Sequence, residues 1–143
     1  MQKQKMYIKG APSSAPFLKE NTVANENAIN SKKEMESNKE LEILIADSFF
    51  TRFAGLMFRQ KLPAATGLFL APCNSVHMCF MRFAIDVVYL DKEYKIIKIV
   101  KNLKPWISLS ICSKAWAVIE MTAGEAERCG CEVGRMLVPE KVL

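Results

Sequence analysis

The residue types best suited to chemistry lie in one stretch, from Cys73 to Asp91. This stretch contains the only histidine of the chain, His77, with Cys73 and Cys79 on either side of it. Thiolate and imidazole are the ligands that zinc and copper prefer, and these three positions would share one face of an extended strand. The spacing matches no established zinc pattern and an obvious fourth ligand is missing. We therefore predict no metal or other cofactor and keep a site at Cys73, His77 and Cys79 as an alternative.

The same residues also suggest a cysteine nucleophile with a histidine base. Such a pair needs proximity in space and an orienting carboxylate, for which Asp86 or Glu120 would serve. The sequence contains no sign of an oxyanion hole. A small enzyme that uses Cys73 and His77, either a hydrolase or one with thiol chemistry, is therefore a second alternative, and the prediction leans towards no catalysis.

Two carboxylates interrupt apolar runs, Asp86 and Glu120. A buried charge is costly unless it is paired, so we expect arginine partners. The available arginines are Arg52, Arg59 and Arg82. The resulting ion pairs either fix a helix against the sheet or line a cleft that presents guanidinium groups to an anionic or polyhydroxy ligand.

Trp106 follows Pro105 in a predicted loop, next to Lys104. An aromatic residue at such a place is either a binding platform or a plug over one end of the core. Trp116 lies within a predicted strand and is assigned to the core. The candidate ligand-binding residues are therefore Arg52, Arg59, His77, Arg82, Asp86, Trp106 and Glu120.

Short apolar runs bounded by turn residues predict the elements that position these side chains. The predicted strands are 41–46, 67–70, 85–90, 94–100 and 115–121, and residues 133–138 add a turn at Gly134 and a final strand. Apolar residues at helical spacing predict a helix from Asp47 to Arg59, and a capping-box pattern at 122–125 opens a second helix that stops near Gly130. Hairpin-type spacing makes the fold mainly β: a compact antiparallel β-sandwich or open barrel with one or two short helices.

Composition divides the chain into two parts. Residues 1–38 are polar and without a sustained apolar period, so they cannot bury enough surface to offset chain entropy. We expect a flexible polar tail there, with a short amphipathic docking element as the alternative, and a single β-rich domain over residues 39–143.

The bulk properties exclude several classes of function. The net charge of +5 over 143 residues contains no block of like charge, which argues against nucleic-acid binding. There is no apolar run long enough for a signal peptide or a membrane span. Five cysteines without a Cys-x-x-Cys pair favour free thiols in a reducing compartment. We expect a cytoplasmic monomer.

Six separated motifs occur in an order that is specific to one family. They are Arg52 with 55–59, Cys73–His77, Met81–Phe83, Ile85–Asp91, Leu103–Trp106 and Glu120–Gly124. Over about residues 40–140 the chain resembles the domain-of-unknown-function 192 family of bacteria and archaea. The resemblance implies a compact, mostly β sandwich with a short helix after its first strand, and it implies no particular reaction. The chain departs from the family pattern at Met78 and Ile107, where members often have threonine and a basic residue.

The function predicted from the sequence is that of a small binding or accessory module. It would present a polar, arginine-containing cleft to a small polar ligand or a protein partner.

Overall fold

The computed structural model describes residues 2–9, 39–46, 56 and 62–140. Within these residues the chain forms nine strands and one short helix. They are β1 (Gln2–Lys9), β2 (Lys39–Ile45), β3 (Thr66–Leu70), β4 (Ser75–His77), β5 (Ile85–Leu90), β6 (Ile96–Leu103), β7 (Leu109–Ile111), β8 (Ala117–Thr122), α1 (Glu125–Arg128) and β9 (Met136–Pro139).

Seven strands form one sheet in the order β6-β5-β8-β3-β2-β1-β9, while β4 and β7 form a separate two-stranded ribbon. The prediction of a mainly β fold is confirmed. The sheet is mixed rather than wholly antiparallel, because β2 and β3 run parallel. A parallel pair needs a connection much longer than a hairpin turn, and residues 46–65 separate the two strands in the sequence. The sheet is not closed into a barrel.

The N-terminal strand differs from the flexible tail expected over residues 1–38. β1 pairs with β2 on one side and with β9 on the other. Met6 and Ile8 are buried, whereas Lys5 is exposed and forms a salt bridge with Glu40. This alternation is that of a half-buried strand, and the polar composition of the following residues concealed it. Residues 10–38 lie outside the described part of the chain.

The central strands bury apolar side chains on both faces of the sheet. All residues of β5 are buried, and five of the six in β8 are buried. On one face Val88 and Ile119 belong to a first core, which β1, β9 and α1 cover. On the other face Tyr89 and Val118 belong to a second core, which is covered in part by the β4–β7 ribbon. The ribbon therefore depends on the sheet for its position.

Most strand predictions agree with the structure, and the exceptions have local causes. β6 runs to Leu103, three residues beyond the predicted end, and the ribbon strands β4 and β7 were not predicted. The capping-box prediction is wrong: the N-cap of α1 is Gly124, in the left-handed conformation, and no side chain within the helix caps it. The predicted helix from Asp47 to Arg59 lies outside the described residues except for Leu56.

Candidate functional site

The buried carboxylate of Asp86 is held by backbone groups. Its Oδ1 accepts a hydrogen bond from the backbone N–H of Asn102 at 2.9 Å. Its Oδ2 accepts from the N–H groups of Gly124 at 2.8 Å and Ala126 at 3.1 Å. A carboxylate at the start of a helix satisfies donors that the helix leaves open. Asp86 thus joins β5 to the end of β6 and to α1, and among the described residues no salt bridge links it to an arginine.

Replacement of Asp86 by Ala is expected to destabilise the fold strongly, because three backbone donors lose their acceptor. A hydrogen bond to a charged group contributes about 1.5–3 kcal/mol, so the free energy of unfolding should fall by more than about 3 kcal/mol in urea titrations. Asp91→Ala is the matched control, since Asp91 accepts two backbone hydrogen bonds in an exposed turn. An equal loss in the two variants would contradict the assigned role of Asp86.

Glu120 lies on the opposite face of the sheet from Asp86. In the β5–β8 register Asp86 pairs with Met121, which belongs to the first core, and Glu120 pairs with Val87, which belongs to the second. Burial raises the pKa of Glu120 to about 7, and a hydrogen bond from the backbone of Leu56 acts in the opposite direction. The two carboxylates therefore cannot line the single cleft that the sequence predicted.

Glu120 should make stability fall as pH rises. Its ordinary pKa is 4.5, so the unfolded chain loses this proton first, and the free energy of unfolding decreases between pH 4.5 and about 7. The pKa change corresponds to about 3 kcal/mol. Urea titrations across this pH range should show a decrease that Glu120→Gln lacks. Glu93→Gln, in an exposed turn, should keep the wild-type pH dependence, and a wild-type profile in Glu120→Gln would refute the assignment.

The two cysteines and the histidine that suggested a metal site do not converge on one. Cys73 is half-buried and its thiol donates to the carbonyl of Ser75 at 3.2 Å, whereas His77 and Cys79 are exposed. No group of three or more His, Cys, Asp or Glu side chains in the described residues could hold a metal ion. Burial raises the pKa of the Cys73 thiol, which disfavours the reactive thiolate.

The backbone of Met78 joins two surface turns. Its side chain is fully buried in the second core. Its carbonyl accepts from the N–H groups of Met81 at 3.2 Å and Trp106 at 2.8 Å, and its N–H donates to the carbonyl of Ser108 at 2.9 Å. One core residue thereby fixes the turn after β4 relative to the turn before β7.

Each of these turns presents an aromatic residue in an unusual backbone conformation. Phe80 has φ of 60° and Trp106 has φ of 77°, values that bulky side chains rarely adopt. Their rings meet edge to face, with centroids 6.2 Å apart and planes at 68°. Phe80 is 55% exposed, Trp106 60% and Ile107 96%. The sequence predicted Trp106 as a candidate but missed Phe80 and Ile107.

Exposed apolar residues continue along the ribbon. Leu109 and Ile111 face solvent, while Ser110 between them points inward and accepts a hydrogen bond from the Tyr89 hydroxyl at 2.9 Å. We call Phe80, Trp106, Ile107, Leu109 and Ile111 the aromatic surface. Single exposed apolar residues are ordinary, but a group of this kind marks interaction sites.

Basic residues dominate the two segments that carry the aromatic surface. Segments 71–84 and 101–116 contain no Asp or Glu. Their cationic residues are Arg82, Lys101, Lys104 and Lys114. Of the predicted candidates, His77, Arg82 and Trp106 are exposed on these segments, Asp86 and Glu120 are buried elsewhere, and Arg52 and Arg59 lie outside the described residues.

Comparison with known proteins places the chain in a family. Residues 29–138 match the family model of domain of unknown function 192, called Uncharacterized ACR. The UPF0127 protein of Pyrococcus furiosus is 36% identical over 102 residues, which cover 68% of this chain and 85% of the relative. The UPF0127 protein of Pyrococcus horikoshii is 36% identical over 98 residues, covering 65% and 83%. The chain belongs to the domain-of-unknown-function 192 family, as its motifs predicted, and the match begins ten residues before the predicted domain.

Two crystal structures share the fold at low sequence identity. A "putative transcription regulator" from Sinorhizobium meliloti has a TM-score of 0.72 at 17% identity, covering 96% of this chain and 94% of the other. A protein of unknown function from Novosphingobium aromaticivorans has a TM-score of 0.68 at 16% identity, covering 93% and 82%. In the part of the chain described here, no helix has the length and apolar character needed to cross a membrane.

Proposed function

We propose that this protein is a non-catalytic binding module and that the aromatic surface makes the contact. The observation that carries the proposal is the pair Phe80 and Trp106, both exposed and both in left-handed backbone conformations. Backbone strain of this kind costs about 1–3 kcal/mol per residue and persists where the surrounding structure imposes it, often at ligand contacts. More than half of the surface of each residue is open to solvent and therefore available to a partner.

The proposed surface differs in character from the polar cleft inferred from the sequence. Its centre is apolar, and its cations, Arg82 and Lys104, lie two residues from Phe80 and Trp106 respectively. Trp and Phe are typical anchors of binding surfaces, because they contribute a large contact area at low cost in conformational entropy. His77 belongs to the same ribbon, directly across from Leu109.

The rival function, an enzyme with Cys73 and His77, receives less support. The Cys73 thiol is half-buried, and this burial raises its pKa. His77 stands on the exposed face of β4, whereas a histidine base must reach the thiol. A binding role needs neither group to be reactive.

The proposal also assigns the module to a reducing compartment, the cytoplasm. None of the five cysteines forms a disulfide in the structure, and two of them are buried in the first core. Free thiols in these numbers are typical of a reducing environment. The proposal includes a monomer that does not bind nucleic acid.

Replacement of both aromatic residues by asparagine should abolish binding without unfolding the protein. Asn adopts left-handed conformations far more readily than Phe or Trp, so Phe80→Asn/Trp106→Asn should be as stable as the wild type or more stable. The tagged protein, expressed in its source organism, should sediment in a larger assembly in cell extract, and the variant should sediment as free protein.

Val133→Asn/Met136→Asn is the matched control, because both residues are exposed apolar side chains outside the aromatic surface. The control should sediment like the wild type. If the wild type itself sediments as free protein, or if all three proteins sediment alike, the aromatic surface is not a binding surface.

A further inference from the structure

We infer that the partner of the aromatic surface is an anionic membrane surface, on which the module docks without crossing it. This inference rests on the proposed function and adds the chemistry of the partner. It combines the protrusion of the apolar side chains with the sign of the surrounding charge.

The apolar residues stand out from two turns. Ile107 is 96% exposed, so the rest of the chain covers almost none of it. Trp106 precedes it in the chain and contacts Phe80 of the other turn edge to face. A bilayer interface accepts protruding apolar side chains without a matching pocket, and tryptophan in particular is enriched at the headgroup level. The exposure of these side chains suits shallow insertion of both turns into a bilayer interface.

The charged residues of the two turn segments have a single sign. Arg82 and Lys104 lie in the two turn segments, which contain no carboxylate side chain. Basic residues next to apolar insertion points attract anionic headgroups. A second copy of this chain is a poorer partner, because a two-fold contact would bring the same cationic residues of both copies into one interface. An anionic membrane accommodates the apolar side chains in its interface and attracts the cationic ones to its headgroups.

Vesicle binding by the full chain tests the inference. The wild type should cosediment with vesicles of phosphatidylcholine mixed with phosphatidylglycerol, and much less with pure phosphatidylcholine, and salt should weaken the binding. In a Trp116→Phe background the emission of Trp106 should shift to the blue on binding. Trp116 packs half-buried against Tyr94, at 5.8 Å between ring centroids, so it would otherwise obscure that signal.

Charge and apolar variants separate the two contributions. Arg82→Gln/Lys104→Gln should lose about fivefold in affinity per charge for the anionic vesicles. Lys9→Gln/Lys92→Gln removes the same charge from β1 and the β5–β6 turn, and it should lose less. Phe80→Asn/Trp106→Asn should lose binding to both types of vesicle.

Three results would overturn the inference. One is equal binding of the wild type to neutral and anionic vesicles, or binding to neither. Another is equal loss in the two charge variants. The third is concentration-dependent self-association that requires Trp106, which would identify a second copy as the partner. The protein could fail to bind vesicles while its assembly in cell extract still depends on Phe80 and Trp106. In that case the partner is a protein, and the proposed binding function survives.

Discussion

The aromatic surface depends on the backbone of one buried residue, Met78. Its side chain is fixed in the second core, and its carbonyl accepts two hydrogen bonds, from Met81 and from Trp106. Because these donors belong to different turns, neither turn can move independently while both bonds are present. The edge-to-face contact of Phe80 with Trp106 follows from this arrangement. The surface is therefore preorganised, which reduces the entropy that binding would otherwise cost.

The two buried carboxylates support the fold in different ways. Asp86 accepts three backbone hydrogen bonds, which compensate for its removal from water. For Glu120 the described residues provide one backbone donor, from Leu56, and burial dominates its pKa. Asp86 is therefore a structural anchor for α1 and the end of β6, whereas Glu120 is expected to make the stability depend on pH between 4.5 and about 7.

The sequence predicted the central strands well and the peripheral ones poorly. The apolar runs at 67–70 and 85–90 lie on strands buried on both faces, so composition alone identifies them. β4 and β7 have three residues each, too few for a periodic pattern. β1 alternates clearly but is followed by polar residues, so it was grouped with a tail. No local pattern encodes the parallel pairing of β2 with β3, because paired residues such as Glu42 and Thr66 are distant in the chain.

The candidate site was predicted by residue type, which does not show which residues share a surface. Arg82 was a candidate because it could pair with a buried carboxylate, and Trp106 because it follows Pro105 in a predicted loop. Asp86 and Glu120 were grouped with them because buried charges suggest function. These two side chains lie on opposite faces of the sheet because of the β5–β8 register, which a single sequence cannot supply. Next to Ile107, Trp106 donates a hydrogen bond to the carbonyl of Met78, and a single sequence does not reveal this contact between distant residues.

Hydroxyl-radical footprinting of the protein inside its source cells tests the central claim most directly. If the aromatic surface is occupied, Trp106 and Phe80 should be oxidised much less in cells than in the purified protein. Met136, an exposed apolar residue outside that surface, should be oxidised equally in both. Equal oxidation of Trp106 in cells and in purified protein would contradict the account, because the surface would then be open to water where the protein works.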